Sequence, residues 1–221
     1  MIQPTDRSAA ADPAARTRLL QAAGEVFAEQ GFRSATVRAI CARAGTNVAA
    51  VNYHFRDKES LYALVLENAL QAAVERFPPD LGVTPESSAE DRLRAFIRSL
   101  LLRMLGGGVP EWLSRLMAHE MIEPTRALDP LVERVLRPLF TRLVGIVGEL
   151  LGPGADPEVV RLCARSVVGQ CFFYRHAQEV IRRLQPGERI DASRIEDLAD
   201  HITSFSLAGI RERRNGTRRS A

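Results

Sequence analysis

The sequence predicts an all-α fold of about nine helices in two domains, and three observations predict it. Apolar residues recur at helical spacing, most clearly in the stripe Leu93, Phe96, Ile97, Leu100, Leu101 and Met104. No stretch alternates apolar and polar residues as a half-buried strand would, and no repeat of fixed period is present. Proline and glycine cluster at Pro78-Pro79, Gly106-Gly107-Gly108, Gly152-Pro153-Gly154 and Pro186-Gly187, where a helix cannot readily continue.

Taken in order, residues 1–12 are small, polar and proline-containing, and the expectation for them is a disordered arm. The first helix is expected over 13–30, with Pro13 in its first turn and Gly31 as its stop. Leu19, Leu20, Ala23, Val26 and Phe27 form its inner face. Two short helices follow between Thr36 and Phe55. A longer one starts at Asp57, a good N-cap, and ends before Pro78. The loop from Pro78 to Ser88 sets the domain boundary, dividing the chain into 1–77 and 78–221. Helices are then expected over 89–105, 110–122, 129–151 with a kink at Pro138, 157–184 and 193–213, ahead of a basic, mobile tail.

The stretch Thr36 to Lys58, TVRAICARAGTNVAAVNYHFRDK, carries the chemistry. The Thr36 hydroxyl can cap the first short helix, and Val37, Ile40 and Ala44 share one face of it. Gly45 falls where a helix ends in a left-handed residue, which costs glycine almost nothing. Asn47 caps the second short helix. Two short helices crossing at a glycine turn make a helix-turn-helix, whose second helix can enter a DNA major groove. Ala49 and Ala50 are small enough for close approach to a duplex, and Asn47 and Asn52 offer donors and acceptors to bases and phosphates. Tyr53, His54 and Lys58 are expected on phosphate oxygens, Lys58 at a helix start whose unpaired amides favour an anion. Thr36, Arg38 and Val48 complete the expected DNA-binding face.

The run Gly31-Phe32, Thr36-Val37, Ile40, Ala44-Gly45, Val51, Tyr53-His54-Phe55, Lys58-Glu59 and Leu61 resembles the N-terminal signature of the TetR family of transcriptional regulators, over roughly Arg16 to Leu70. Thr46, Asn47 and Ala49 stand where the family often has valine, serine and glycine. These changes suit the turn and the cap, and they bear on which bases are read.

Bulk properties set bounds. The chain has 221 residues, 46% hydrophobic and 26% charged, an ordinary soluble composition with enough length for a buried core. The net charge of +3 does not diagnose nucleic acid, and Met1 to Phe77 holds nine Lys+Arg against eight Asp+Glu. DNA binding must therefore rest on where charge is placed. Cys41, Cys163 and Cys171 form no disulfide framework and no metal-ligand spacing, so they are expected as buried thiols in a reducing cytoplasm. The triple glycine lacks the flanks of a phosphate loop, no nucleotide motif is present, and no cofactor or metal is expected. No apolar stretch is long enough to span a membrane, and the N-terminus has no apolar signal core.

In the second half, EWLSRLMAHEMIEPTRALDPLV, RPLF, RLCARSVVGQCFFYRHA and HITSFSLAGI resemble the CerR-type ligand-binding domain of a TetR subgroup, roughly Trp112 to Ile210. The resemblance implies an effector-controlled homodimer, with the predicted helices over 157–184 and 193–213 of each subunit forming a four-helix bundle. Val167, Cys171, Phe172, Ile202, Phe205 and Ile210 supply the apolar faces, which otherwise serve only to cover helices of the same chain. An effector pocket is expected with walls Phe96, Leu100, Trp112, Leu116, Phe140 and Phe173, and orienting groups His119, Glu120, Tyr174 and Arg175. Glu120 and Arg175 carry a second reading, a buried structural ion pair. The alternative function is an all-α metal-dependent enzyme using His119 and Glu123, neighbours one helical turn apart. The leading expectation is a cytoplasmic, non-enzymatic regulator, most simply a repressor, that binds a palindromic operator as a dimer and is released by a small molecule.

Overall fold

Every regular element is helical in the computed structural model, which describes residues 13–187 and 191–219. The N-terminal arm expected at residues 1–12 lies outside the described residues. The contacts divide the chain into two units.

The first unit takes the described residues up to Ala72 together with Pro110–Val135. Helix α1 (Pro13–Ser34) is interrupted at Gly31, whose φ of 74° is open to glycine and strained for other residues, so the regular helix stops there as expected. Helices α2 (Val37–Ala44) and α3 (Val48–Phe55) pack on α1 and on each other, and α4 (Lys58–Arg76) begins after Asp57, whose carboxylate accepts from Ser60 N. Helix α6 (Glu111–Ile122) packs against α1, and helix α7 (Leu128–Leu131) leads into a π-helical turn (Val132–Leu136). Leu19, Phe27, Ile40, Val51, Leu61, Tyr62, Leu66, Leu116 and Leu131 are fully buried here.

The expected boundary at Pro78 therefore differs from the division by contacts. The stretch from Pro110 to Val135 packs with the N-terminal helices rather than with the rest of the second half. Two contacts explain it. The Trp112 ring covers Gly24 so closely that a Cβ there would lie 2.6 Å from it, and Glu120 accepts a hydrogen bond from Tyr62.

The second unit comprises Ala73–Val109 and Leu136–Ala221. Helices α5 (Ala89–Leu105), α8 (Arg137–Leu151), α9 (Pro157–His176) and α11 (Ile195–Arg219) pack pairwise around one apolar cluster. Ser88 caps α5 and Asp156 caps α9. The single helix expected over 129–151 is divided instead by the π turn. Pro138 lies at the start of α8, lacks an N–H and crowds the carbonyl one turn back, and the backbone accommodates it by widening before the proline. The helix expected over 157–184 is broken at Ala177 (φ −95°, ψ 10°), after which α10 (Gln178–Leu184) follows. No proline or glycine marks that break. Helix α11 runs on to Arg219, past the expected end at 213.

Candidate functional site

The helix-turn-helix is built by the caps that its sequence implied. Thr36 Oγ1 accepts from Ala39 N at 3.1 Å, Gly45 adopts φ 63° and ψ 39°, and Asn47 Oδ1 accepts from Ala50 N at 3.0 Å. The Cys41 thiol donates to Asn47 O at 3.3 Å, closing the turn from below. Arg43 makes a two-pronged ion pair with Glu29, each bond 2.8 Å, tying α2 to α1 and holding the Glu29 carboxyl below its usual pKa.

Helix α3 is anchored by Ala50, Val51 and Phe55, all buried. Its other face carries Asn47, Val48, Ala49, Asn52 and Tyr53, all exposed, with Tyr53 at 66%. Thr36 and Arg38 are exposed on α2. The structure therefore brings seven of the nine expected DNA-binding residues to exposed positions on the two helices and their caps.

Lys58 and His54 are placed otherwise. Lys58 Nζ donates to Phe32 O at 2.9 Å, Ala35 O at 3.1 Å and Arg33 O at 3.3 Å, and lies 4.6 Å from the Phe32 ring centroid. An ammonium has three N–H donors, and all three are turned to the carbonyls that end α1. The expected phosphate contact is corrected to an internal clamp. His54 is half-buried between Tyr53 and Phe55, and its Nε2 is enclosed with no hydrogen-bond partner among the described residues, so it does not offer that nitrogen to a phosphate.

The expected effector residues divide between the two units. Trp112, Leu116, His119 and Glu120 belong to the first. Glu120 is 1% exposed and accepts from Tyr62 Oη at 2.8 Å, Thr125 N at 3.0 Å and Thr125 Oγ1 at 3.0 Å. Its carboxylate is thus satisfied by neutral donors of its own unit, and these bonds do not form the second reading, an ion pair with Arg175. Arg175 donates to Gln178 Oε1 instead. Burial and the Glu120 carboxylate both hold the Tyr62 phenol well above its usual pKa. His119 and Glu123 are exposed and line a cleft with Glu29, Arg33 and Tyr62, and Glu123 pairs with Arg33 at 4.0 Å. Among the described residues no group of three His, Cys, Asp or Glu could hold a metal.

In the second unit, Phe96 is buried in the apolar cluster, and Leu100, Phe140 and Tyr174 pack against it. Phe173 is 56% exposed, so it walls no interior pocket. Sequence reasoning missed Arg103. It falls seven residues after Phe96 and three after Leu100, inside the apolar stripe of α5, and that spacing was the available signal. Arg103 Nη1 donates to Phe77 O at 2.9 Å and to Ser99 Oγ at 2.8 Å, while Nη2 is buried without a partner among the described residues. Burial lowers its pKa to about 10, leaving it protonated at neutral pH. Cys171, which acts on it from α9, is pushed up to about 12 by burial and stays neutral.

The two faces of α9 and α11 also separate. Val167, Cys171, Ile202 and Ile210 are buried in their own chain's core, which corrects their expected place on a dimer surface. The exposed large apolar residues on these helices are Leu162, Phe173 and Phe205, and Gly169, Ala208 and Gly209 are exposed on the same two helices. Leu162, Cys163, Gln170, Phe205 and Gly209 line a groove between α9 and α11.

Residues 19–65 match the family described as bacterial regulatory proteins, tetR family. Residues 89–210 match the C-terminal domain of the HTH-type transcriptional dual regulator CecR, the subgroup to which the second-half resemblance points. The chain is 28% identical to CecR of Shigella flexneri over 210 residues, covering 90% of this chain and 94% of that protein. It is 26% identical to the HTH-type transcriptional repressor NicS of Pseudomonas putida, covering 91% of this chain and 95% of that protein. Among solved structures, the transcriptional regulator FadR of Bacillus subtilis in complex with stearoyl-CoA superposes with a TM-score of 0.66 at 19% identity, covering 87% of this chain and 98% of that chain. These relatives are transcriptional regulators rather than enzymes. No helix of the described residues is long and apolar enough to cross a membrane.

Proposed function

The chain belongs to the tetR family of bacterial transcriptional regulators and carries its CecR-type C-terminal domain, and from that membership we propose that it is a dimeric repressor released from a palindromic operator by a small molecule. The observation that carries this reading is the face of α3. Three buried residues fix the helix, Asn47 caps it, and Asn47, Val48, Ala49, Asn52 and Tyr53 are exposed at the positions that would meet a duplex. Asn52 suits base edges, Tyr53 suits phosphate oxygens, and the small Ala49 lets the backbone approach. Lys58 acts indirectly, by fixing the start of α4 to the end of α1.

Assembly follows from symmetry. A palindrome is read by a two-fold protein, and the exposed Leu162, Phe173 and Phe205 on α9 and α11 supply an apolar surface for a second copy. Gly169 and Gly209 permit close approach of helices there. The effector is taken up in the second unit, with Phe96, Leu100, Phe140 and Tyr174 as apolar surroundings. Its binding favours conformers whose two α3 helices no longer match the half-site spacing. A coupling of about 1–3 kcal/mol lowers operator affinity by roughly 5–150-fold. The stearoyl-CoA bound by FadR supports a ligand with an apolar body.

The test is transcription in vitro from a promoter carrying a duplex selected for binding. Added protein is expected to lower the transcript, and Tyr53→Ala to restore it. A transcript raised by the wild-type protein would mark an activator and overturn the repressor reading.

A further inference from the structure

We propose that Arg103 anchors the carboxylate of the effector, a small monocarboxylic acid whose apolar body is taken up between α5 and α9. The proposal rests on the ligand-responsive reading above and names the ligand class for it.

Arg103 is 7% exposed, and among the described residues it has neither an ion-pair partner nor any acceptor for Nη2. A buried charge is strongly unfavourable unless paired and hydrogen-bonded. Its structural duty is already covered, because Phe77 O also accepts from Ser99 Oγ at 2.8 Å. Removing the guanidinium would not orphan that carbonyl. The surroundings define the rest of the ligand. On α5, Phe96, Leu100 and Arg103 fall at i, i+4 and i+7, and on α9, Val167, Cys171 and Tyr174 repeat that spacing. All but Arg103 itself belong to, or pack against, the apolar cluster of the second unit. Helices α5 and α9 pack against each other, and Cys171, pushed up to about 12 by burial, is neutral at physiological pH. One unused amino group within an apolar cluster matches one carboxylate oxygen on an otherwise apolar molecule. A polyphosphate head carries several charges, whereas Arg103 brings one guanidinium whose unused group is the –NH2 at Nη2, two N–H donors suited to a single carboxylate.

The experiment is calorimetric titration of the full chain with the free acids from butanoate to dodecanoate and with benzoate, each beside its primary amide. At least one acid is expected to bind, and its amide at least about ten-fold more weakly, the loss of a charge-assisted hydrogen bond. This comparison needs no variant. In Arg103→Met the acid should fall to the level of its amide, the amide should be unaffected, and the melting temperature should hold or rise. Arg103→Lys should keep the charge and part of the preference. Failure of every acid to bind, equal binding of acid and amide, tighter binding of coenzyme A thioesters than of free acids, or an acid preference that survives in Arg103→Met would each overturn the proposal. Operator release is scored separately. An acid that binds through Arg103 yet leaves the operator complex intact supports the anchor and overturns the ligand-responsive reading. A compound that releases operator equally from wild type and Arg103→Met overturns the anchor and leaves that reading standing.

Discussion

Replacing Lys58 by methionine keeps the apolar stem and removes only the ammonium. The group lost donates to Phe32 O at 2.9 Å and Ala35 O at 3.1 Å, with a weaker bond to Arg33 O, and rests 4.6 Å from the Phe32 ring centroid. Two net hydrogen bonds at about 1 kcal/mol each, with a cation–π contact of about 0.5–1 kcal/mol, give a cost of roughly 2–3 kcal/mol. Lys58 is only half-buried, and water can reach part of what it leaves behind, which favours the lower end. For a chain of this size each kcal/mol moves Tm by about 2–4 °C, so the variant should melt roughly 4–12 °C lower. The assay pairs a melting curve with operator titrations at several salt concentrations. Binding weakens because α3 is less well held, while the salt slope stays as in wild type, since no phosphate contact is lost. An unchanged Tm with a salt slope smaller by about one unit would refute the reasoning and put the ammonium on a phosphate.

The packing and the assembly give further expected outcomes. Gly24→Ala places a Cβ 2.6 Å from the Trp112 ring, and overpacking of about 1–3 kcal/mol should appear as a lower denaturation midpoint; an unchanged midpoint would show that the ring moves aside freely. Phe205→Glu puts a charge on the 65% exposed apolar ring of α11, and sedimentation should show dimer dissociation raised by at least about 100-fold with the fold intact; a fully dimeric variant would place the interface elsewhere. Cys171 gives a pH dependence. Its folded-state pKa of about 12 lies above the ordinary 9.0, so the unfolded chain loses that proton first. Its contribution is complete below pH 9.0 and is lost as pH rises towards about 12. Denaturant titrations under reducing conditions should show wild type losing more stability than Cys171→Ala over that window, and parallel curves would contradict the buried, neutral thiol.

What the sequence made legible was local. Thr36, Gly45, Asn47 and Asp57 announce their roles through a few neighbouring residues, because a cap bonds an amide two or three positions away. Long-range partners leave no such trace. Lys58 reaches carbonyls more than twenty residues upstream, and Tyr62 meets Glu120 across 58 residues, so the expected phosphate contact went astray and the internal partners of Glu120 were not foreseen. Periodicity showed that α9 and α11 are apolar without showing which face their own chain covers. Phe205 stays outside while Ile202 and Ile210, on the same helix, fill the core. Arg103 sat in plain view within an apolar stripe, but its burial depends on helices that arrive later in the chain.

The central claim, a two-fold regulator reading DNA through α3, is tested most directly by selecting bound duplexes from a random pool with the full-length protein. The recovered sequences should contain an inverted repeat whose half-site centres lie about 34–36 Å apart or a multiple of that, and Asn52→Ala should relax the preference at the same position in both halves. An unrepeated single site, or no enrichment over the starting pool, would contradict the account.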